Sequence, residues 1–111
     1  MPPTVALHSV LRVGSEAGYD NAHRRIPQEL IEAHLRAGIT DWRIWRSGNH
    51  LFHLVECDDL ARALQILDED PANLRWQETI GVFVDHFEVP SAFAEGLPLV
   101  WGMRQQIAEA G

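Results

Sequence analysis

Three observations predict an α+β fold with a four-stranded antiparallel sheet carrying helices on one face. Strand-like and helix-like patterns follow one another in the order strand, helix, strand, strand, helix, strand. A polar turn signal joins the two middle strand runs. The length, 111 residues, suits one domain and is enough to bury a modest core without disulfides or a structural metal.

Val5 to Val13 is apolar and rich in β-branched residues, and Gly14-Ser15-Glu16 closes it, as expected of a first strand. From Ala17 to Ala37 the period becomes helical, with Leu30, Ile31, His34 and Leu35 on one stripe and Gly38 as a stop. Pro27 lacks an N–H, so this segment divides into two helical pieces, the first carrying Tyr19 and His23. Ile39 to Trp45 and Leu51 to Cys57 read as a hairpin around Ser47-Gly48-Asn49. Asp58 or Asp59 can cap the next helix, whose stripe is Leu60, Leu64 and Leu67. Asn73 to Phe87 has helical spacing of Trp76, Ile80, Phe83 and Val84, Leu99 to Met103 reads as the last strand, and residues 104–111 form a polar tail. The sheet's second face is too apolar to be left to water, and a ligand or a second copy of the chain is expected to cover it.

Composition narrows the function. Hydrophobic residues at 46% and charged residues at 23% describe a globular chain, not a disordered one. A net charge of −7 repels a phosphate backbone, and the arginines are interspersed with acids, so nucleic acid is not an expected partner. No apolar run approaches a bilayer span, and the start Met1-Pro2-Pro3-Thr4 lacks a basic, then apolar, leader pattern. The single Cys57 excludes an internal disulfide. Together these point to a cytoplasmic protein, with Cys57 read as a small core residue at a strand end.

The residues able to carry chemistry are few. Tyr19 and His23 lie four apart on a helix, so a phenol and an imidazole leave the same face. Histidine titrates near neutrality and serves as acid or base. The alternative is a surface histidine beside a tyrosine core anchor. Trp42 and Trp45, three apart in a strand, face opposite ways, so only one lines a given pocket, or both merely pack. A tryptophan face stacks on a sugar's C–H surface, and its N–H can donate to a hydroxyl. His8 and His53 sit mid-strand on what would be neighbouring central strands, and polar lining of a pocket suits them better than metal binding, since metal-ligand spacing is absent. The chain lacks P-loop, G-x-G-x-x-G, G-x-S-x-G and CxxC motifs.

Taken in order, Tyr19-Asp20-Asn21-Ala22-His23, Pro27-Gln28-Glu29-Leu30, Gly38-Ile39-Thr40-Asp41-Trp42-Arg43-Ile44-Trp45, Leu51-Phe52-His53-Leu54-Val55-Glu56, Arg75-Trp76-Gln77 and Leu99-Val100-Trp101 resemble the L-rhamnose mutarotase family. The resemblance implies a ferredoxin-like domain of the dimeric α/β-barrel type, pairing with a second copy through its sheet. It implies cofactor-free interconversion of the α and β anomers of a 6-deoxysugar, L-rhamnose or L-fucose. By position His23 matches the family's proton donor and Tyr19 a substrate-binding tyrosine. Trp42 stands where the family usually has a sugar-contacting Tyr. Trp76 matches the first of a Trp-Trp pair whose second member is replaced by Gln77, and Arg24-Arg25-Ile26-Pro27 departs from the usual Asn-Pro-Ile-Trp-Pro. The changes at Trp42 and Gln77 bear on which sugar is preferred, and the one after His23 bears on the local geometry. The expected site is thus His23 with Tyr19, Trp42, Trp76, Gln77, His8 and His53, in a hollow over the open side of the sheet. Two other readings share the architecture: a cofactor-independent ferredoxin-like monooxygenase, and a non-catalytic small-ligand-binding dimer.

Overall fold

The computed structural model describes residues 3–88 and 96–110. The elements run β1 (Thr4–Leu11), α1 (Glu16–Ala22), α2 (Gln28–Arg36), β2 (Ile39–Ser47), β3 (His50–Cys57), α3 (Leu60–Leu67), α4 (Pro71–Gly81), β4 (Val84–Glu88) and α5 (Met103–Ala110). The four strands form one sheet in the order β2-β3-β1-β4, every pair antiparallel. This is the predicted ferredoxin-like order, with β1 and β3 central.

Alternation along the central strands decides which face is covered. Leu7, Ser9 and Leu11 of β1 and Leu51, His53, Val55 and Cys57 of β3 are buried, and the register sets Leu7 opposite His53 and Ser9 opposite Leu51. Helices lie on this side, where Leu7, Ala33, Ile39, Val55, Leu60, Ala63 and Leu67 make the main core. Tyr19, Leu11 and Leu51 form a second cluster beneath α1.

Local signals explain most boundaries. The helical segment breaks at Pro27, and Gly38 follows α2 with φ +96°, a conformation glycine adopts without a Cβ clash. Asp59 caps α3 by accepting from the Arg62 N–H. Asp70 caps α4 through the N–H groups of Ala72 and Asn73, with Pro71 in the first turn, so this helix starts two residues earlier than its apolar stripe suggests. On α1, Gly18 is the point of closest approach: a Cβ there would sit 2.6 Å from Cε1 of Phe83. The helix is also tied to the hairpin, because Arg46 donates to both carboxylate oxygens of Asp20 at 2.9 and 2.6 Å. That guanidinium holds the Asp20 carboxyl below the usual carboxylate range.

The C-terminal third differs from the sequence reading. The helix expected over Asn73 to Phe87 ends at Gly81, and the fourth strand is Val84–Glu88, not Leu99 to Met103. The reason is a β-bulge. Val10 pairs with His86 while Leu11 pairs with Val84, so Asp85 is an extra residue. Val84 and Phe87 therefore reach the same face although three apart, a spacing that imitates a helix. Leu97 donates one backbone bond to the Ala6 carbonyl at 2.7 Å, but among the described residues no strand follows, and the expected polar tail contains helix α5.

Candidate active site

Between helices α1 to α4 and the underside of the sheet lies a cavity of about 950 Å³, within the size range of small-molecule pockets. Its lining includes Tyr19, His23, Trp42, His53, Trp76 and Gln77. The hollow is thus on the helix-covered face, which corrects the expectation of a site over the open side. Two antiparallel-sheet residues placed opposite one another share a face, and Trp42, opposite the buried Val55, is turned inward.

One turn of α1 builds the reactive end. His23 Nδ1–H donates to the Tyr19 carbonyl at 3.0 Å; because a carbonyl only accepts, this nitrogen carries the proton and Nε2 is the one left for chemistry. The imidazole lies 4.1 Å from the Tyr19 ring and meets Trp76 edge-on at 5.0 Å. Burial lowers the His23 pKa below its ordinary value, against the opposing pull of the Tyr19 carbonyl and Asp20. At neutral pH the ring is uncharged and Nε2 offers a lone pair. Burial, helped by the negative Asp20, pushes the Tyr19 phenol well above its usual range, so this hydroxyl stays protonated.

The opposite end is organised around Trp42. Its indole Nε1–H donates to His53 Nδ1 at 3.1 Å, and His53 Nε2 is 2.8 Å from Ser9 Oγ. An indole N–H only donates, so Nδ1 must accept and Nε2 must carry the proton of a neutral ring. His53 also stacks on Phe87 at 5.5 Å. Burial, together with the nearby His23 and His8, lowers its pKa to about 4. Both nitrogens are engaged with protein groups, which leaves His53 no free nitrogen for a substrate.

Sequence reasoning placed His8 and Gln77 in the site as well. Gln77 does line the cavity and donates to Asn73 Oδ1 at 3.5 Å, while Asn73 Nδ2 donates to the Leu67 carbonyl. His8 does not belong there: it pairs opposite Phe52 on the open face, stacks on that ring at 4.7 Å and bonds to His50 at 2.9 Å. A register with Leu7, not His8, opposite His53 separates the two histidines. Among the described residues no group of three or more His, Cys, Asp or Glu is placed to hold a metal. Cys57 is buried in the core, and burial pushes its thiol up, with Asp58 and Asp59 adding to the effect.

Several pocket residues escaped the sequence reading, among them Ser9 and His34. Ser9, fully buried, is polar where β1 otherwise buries leucines, a signal visible in the strand's alternation. His34 repeats the local arrangement of His23, its Nδ1–H donating to the Leu30 carbonyl at 2.8 Å and its ring meeting Trp42 edge-on at 5.9 Å. In the sequence it reads only as part of an apolar helical stripe.

A four-stranded sheet with an imidazole, a phenol and two indoles around a partly open hollow defines an α+β domain with a pocket of small-molecule size. The chain belongs to the L-rhamnose mutarotase family, whose model matches residues 4–103. Among solved structures, an L-rhamnose mutarotase from Formosa agariphila superposes with a TM-score of 0.67 at 18% identity, over 91% of this chain and 98% of that one. An uncharacterized NIPSNAP-like domain protein from Burkholderia xenovorans gives a TM-score of 0.57 at 19% identity, over 91% and 95%. At such identities the likeness shows a shared fold alone. No curated protein matches the sequence.

Proposed function

We propose that this protein is a cofactor-independent sugar mutarotase acting on a 6-deoxysugar, L-rhamnose or L-fucose. Family membership supports the isomerase class. The observation that carries the catalytic reading is the His23 ring, fixed through Nδ1 to its own helix with Nε2 left for the substrate. Mutarotation opens a hemiacetal and closes it on the other face. Nε2 takes the proton from the anomeric hydroxyl, the bond from C1 to the ring oxygen breaks as the carbonyl forms, and the imidazolium returns its proton to the departing ring oxygen. Rotation about the C1–C2 bond and reversal of these steps give the other anomer. Both oxygens are attached to C1, so one nitrogen can serve both, first as base and then as the general acid assigned by resemblance. Tyr19, held neutral and with its ring 4.1 Å from the imidazole, serves as a hydrogen-bond donor to the sugar, while Trp76 and Trp42 supply walls for the ring's C–H surface.

Saturation-exchange NMR on L-rhamnose and L-fucose tests the reading. Transfer between anomeric protons is expected to accelerate on adding protein with at least one of the two sugars. Unchanged exchange with both would overturn it.

We also propose a homodimer in which the open faces meet. Trp45 and Phe52 are neighbours across β2 and β3 and remain 52% and 41% exposed, with the Arg43 guanidinium over Trp45. Exposed aromatics side by side on a sheet are costly to hydrate. Sedimentation equilibrium is expected to give a dimer for the parent and a monomer for Phe52→Glu; a monomeric parent would remove the proposal. Among the described residues no helix is long and apolar enough to cross a membrane.

A further inference from the structure

The chain from Trp42 through His53 to Ser9 has a fixed polarity, and this has a consequence for the sugar. The indole N–H is turned to His53 and away from any ligand hydroxyl. What Trp42 presents to the cavity is ring surface, and the lining around it continues in Ile39, Leu64 and Leu67, which belong to or pack on the same apolar cluster. This end of the pocket offers no donor from Trp42 and suits the apolar part of a ligand. The polar end, with His23 and Tyr19, lies on another helix.

We propose that His53 is a positioning residue that determines specificity: by accepting from Trp42 and donating to Ser9, it holds the indole so that only ring surface meets the sugar, and the pocket thereby prefers a methyl to a hydroxymethyl group at C5. The proposal rests on the mutarotase reading for its substrate, but the hold on Trp42 can be measured without turnover. Hydrogen bonding through both nitrogens is what makes His53 suited to this. A buried imidazole with one partner could rotate or exchange tautomers, whereas a donor-only indole on one side and a hydroxyl on the other select one tautomer and one orientation. A hydroxymethyl group against the indole face and the side chains of Ile39, Leu64 and Leu67 would lose its water without gaining a donor or acceptor from any of them, the kind of mismatch that buried sites reject.

The test compares the parent with His53→Leu, His53→Gln and Ser9→Ala, using L-rhamnose and L-mannose, which differ only by the hydroxyl on C6. For His53→Leu, KM for L-rhamnose is expected to rise about tenfold with kcat within about threefold, and the preference for L-rhamnose over L-mannose to narrow by about tenfold. His53→Gln, whose amide supplies an acceptor and a donor, should recover much of the preference. In parallel, hydrogen exchange of the Trp42 indole N–H, assigned with Trp42→Phe, should be slow in the parent, faster in Ser9→Ala and fastest in His53→Leu. Nitrogen NMR should find His53 protonated only at Nε2. An unchanged KM and sugar preference in His53→Leu overturns the proposal, as does an indole N–H that exchanges equally fast in all variants. If His53→Leu does not fold, Ser9→Ala decides by the same two readouts, since removing one hydroxyl leaves the packing in place. A parent inactive on L-rhamnose and L-mannose would overturn the specificity proposal; if it were inactive on L-fucose as well, the mutarotase reading would fall with it, and protected indole exchange would then show only that His53 holds Trp42. An active parent with unprotected Trp42 would leave the mutarotase reading standing and overturn this one.

Discussion

Replacing His23 with alanine is expected to lower the catalysed rate of anomer exchange by about 10²- to 10⁴-fold, the usual range for a positioned acid–base group. The expectation follows from the bond to the Tyr19 carbonyl, which leaves Nε2 as the single nitrogen of this ring able to move a proton. The same geometry fixes the pH dependence. Burial lowers the His23 pKa, so the neutral base form predominates at pH 7, and kcat/KM should stay level down to a point below the ordinary histidine value and fall only at lower pH. A fall starting well above pH 6.5 would contradict the assignment. Saturation-exchange rates of parent and His23→Ala across pH 4.5 to 8 provide the measurement. A variant exchanging at the parent's rate would exclude His23 as the proton-moving group, whatever the protein's activity.

Acid should destabilise the fold through His53. Its pKa in the folded protein is about 4, against an ordinary 6.5. Above about pH 6.5 the ring is neutral whether the chain is folded or not, and the full stability is present. As pH falls below that, the unfolded chain binds a proton that the folded one refuses, and stability is lost until the folded ring also titrates near pH 4. The gap corresponds to about 3 kcal/mol at its limit, a large part of a small domain's stability. His23, whose pKa is also lowered, adds loss of the same sign. Urea unfolding of parent and His53→Gln at pH 7 and pH 4.5 checks this. The parent should lose more stability between the two pH values than the variant, and equal losses would contradict it. Protonation also turns Nδ1 into a donor facing the Trp42 N–H, so the acid form conflicts with the bond that holds Trp42.

Much of the architecture was legible because its signals are local. Pro27 and Gly38 bound α2, Asp59 starts α3, and the Ser47-Gly48-Asn49 turn joins β2 to β3. The pairing of Tyr19 with His23 needed only helical spacing, and the opposed directions of Trp42 and Trp45 needed only strand alternation. The rest depended on register, which no single segment contains. Whether His8 or His53 faces the helices is decided by which of Leu7 and His8 sits opposite His53, and nothing within either strand specifies that. The partnership of Ser9 with His53 comes from the same register. The choice of face for the cavity was missed because an apolar second face invites a ligand in the abstract, whereas here the helices stand off the sheet enough to leave a hollow beneath them.

The extra residue at Asp85 separates the length of the last strand from the direction of its side chains. Val84 lies against Leu11 and Phe87 against Ser9 whether or not a residue intervenes in the loop-out between them. The strand can therefore shorten by one at this point without turning Phe87 away from His53. The same loss at position 87 would instead remove the ring stacked on His53. This margin of the sheet can therefore change in length by one residue while the pocket wall stays as it is.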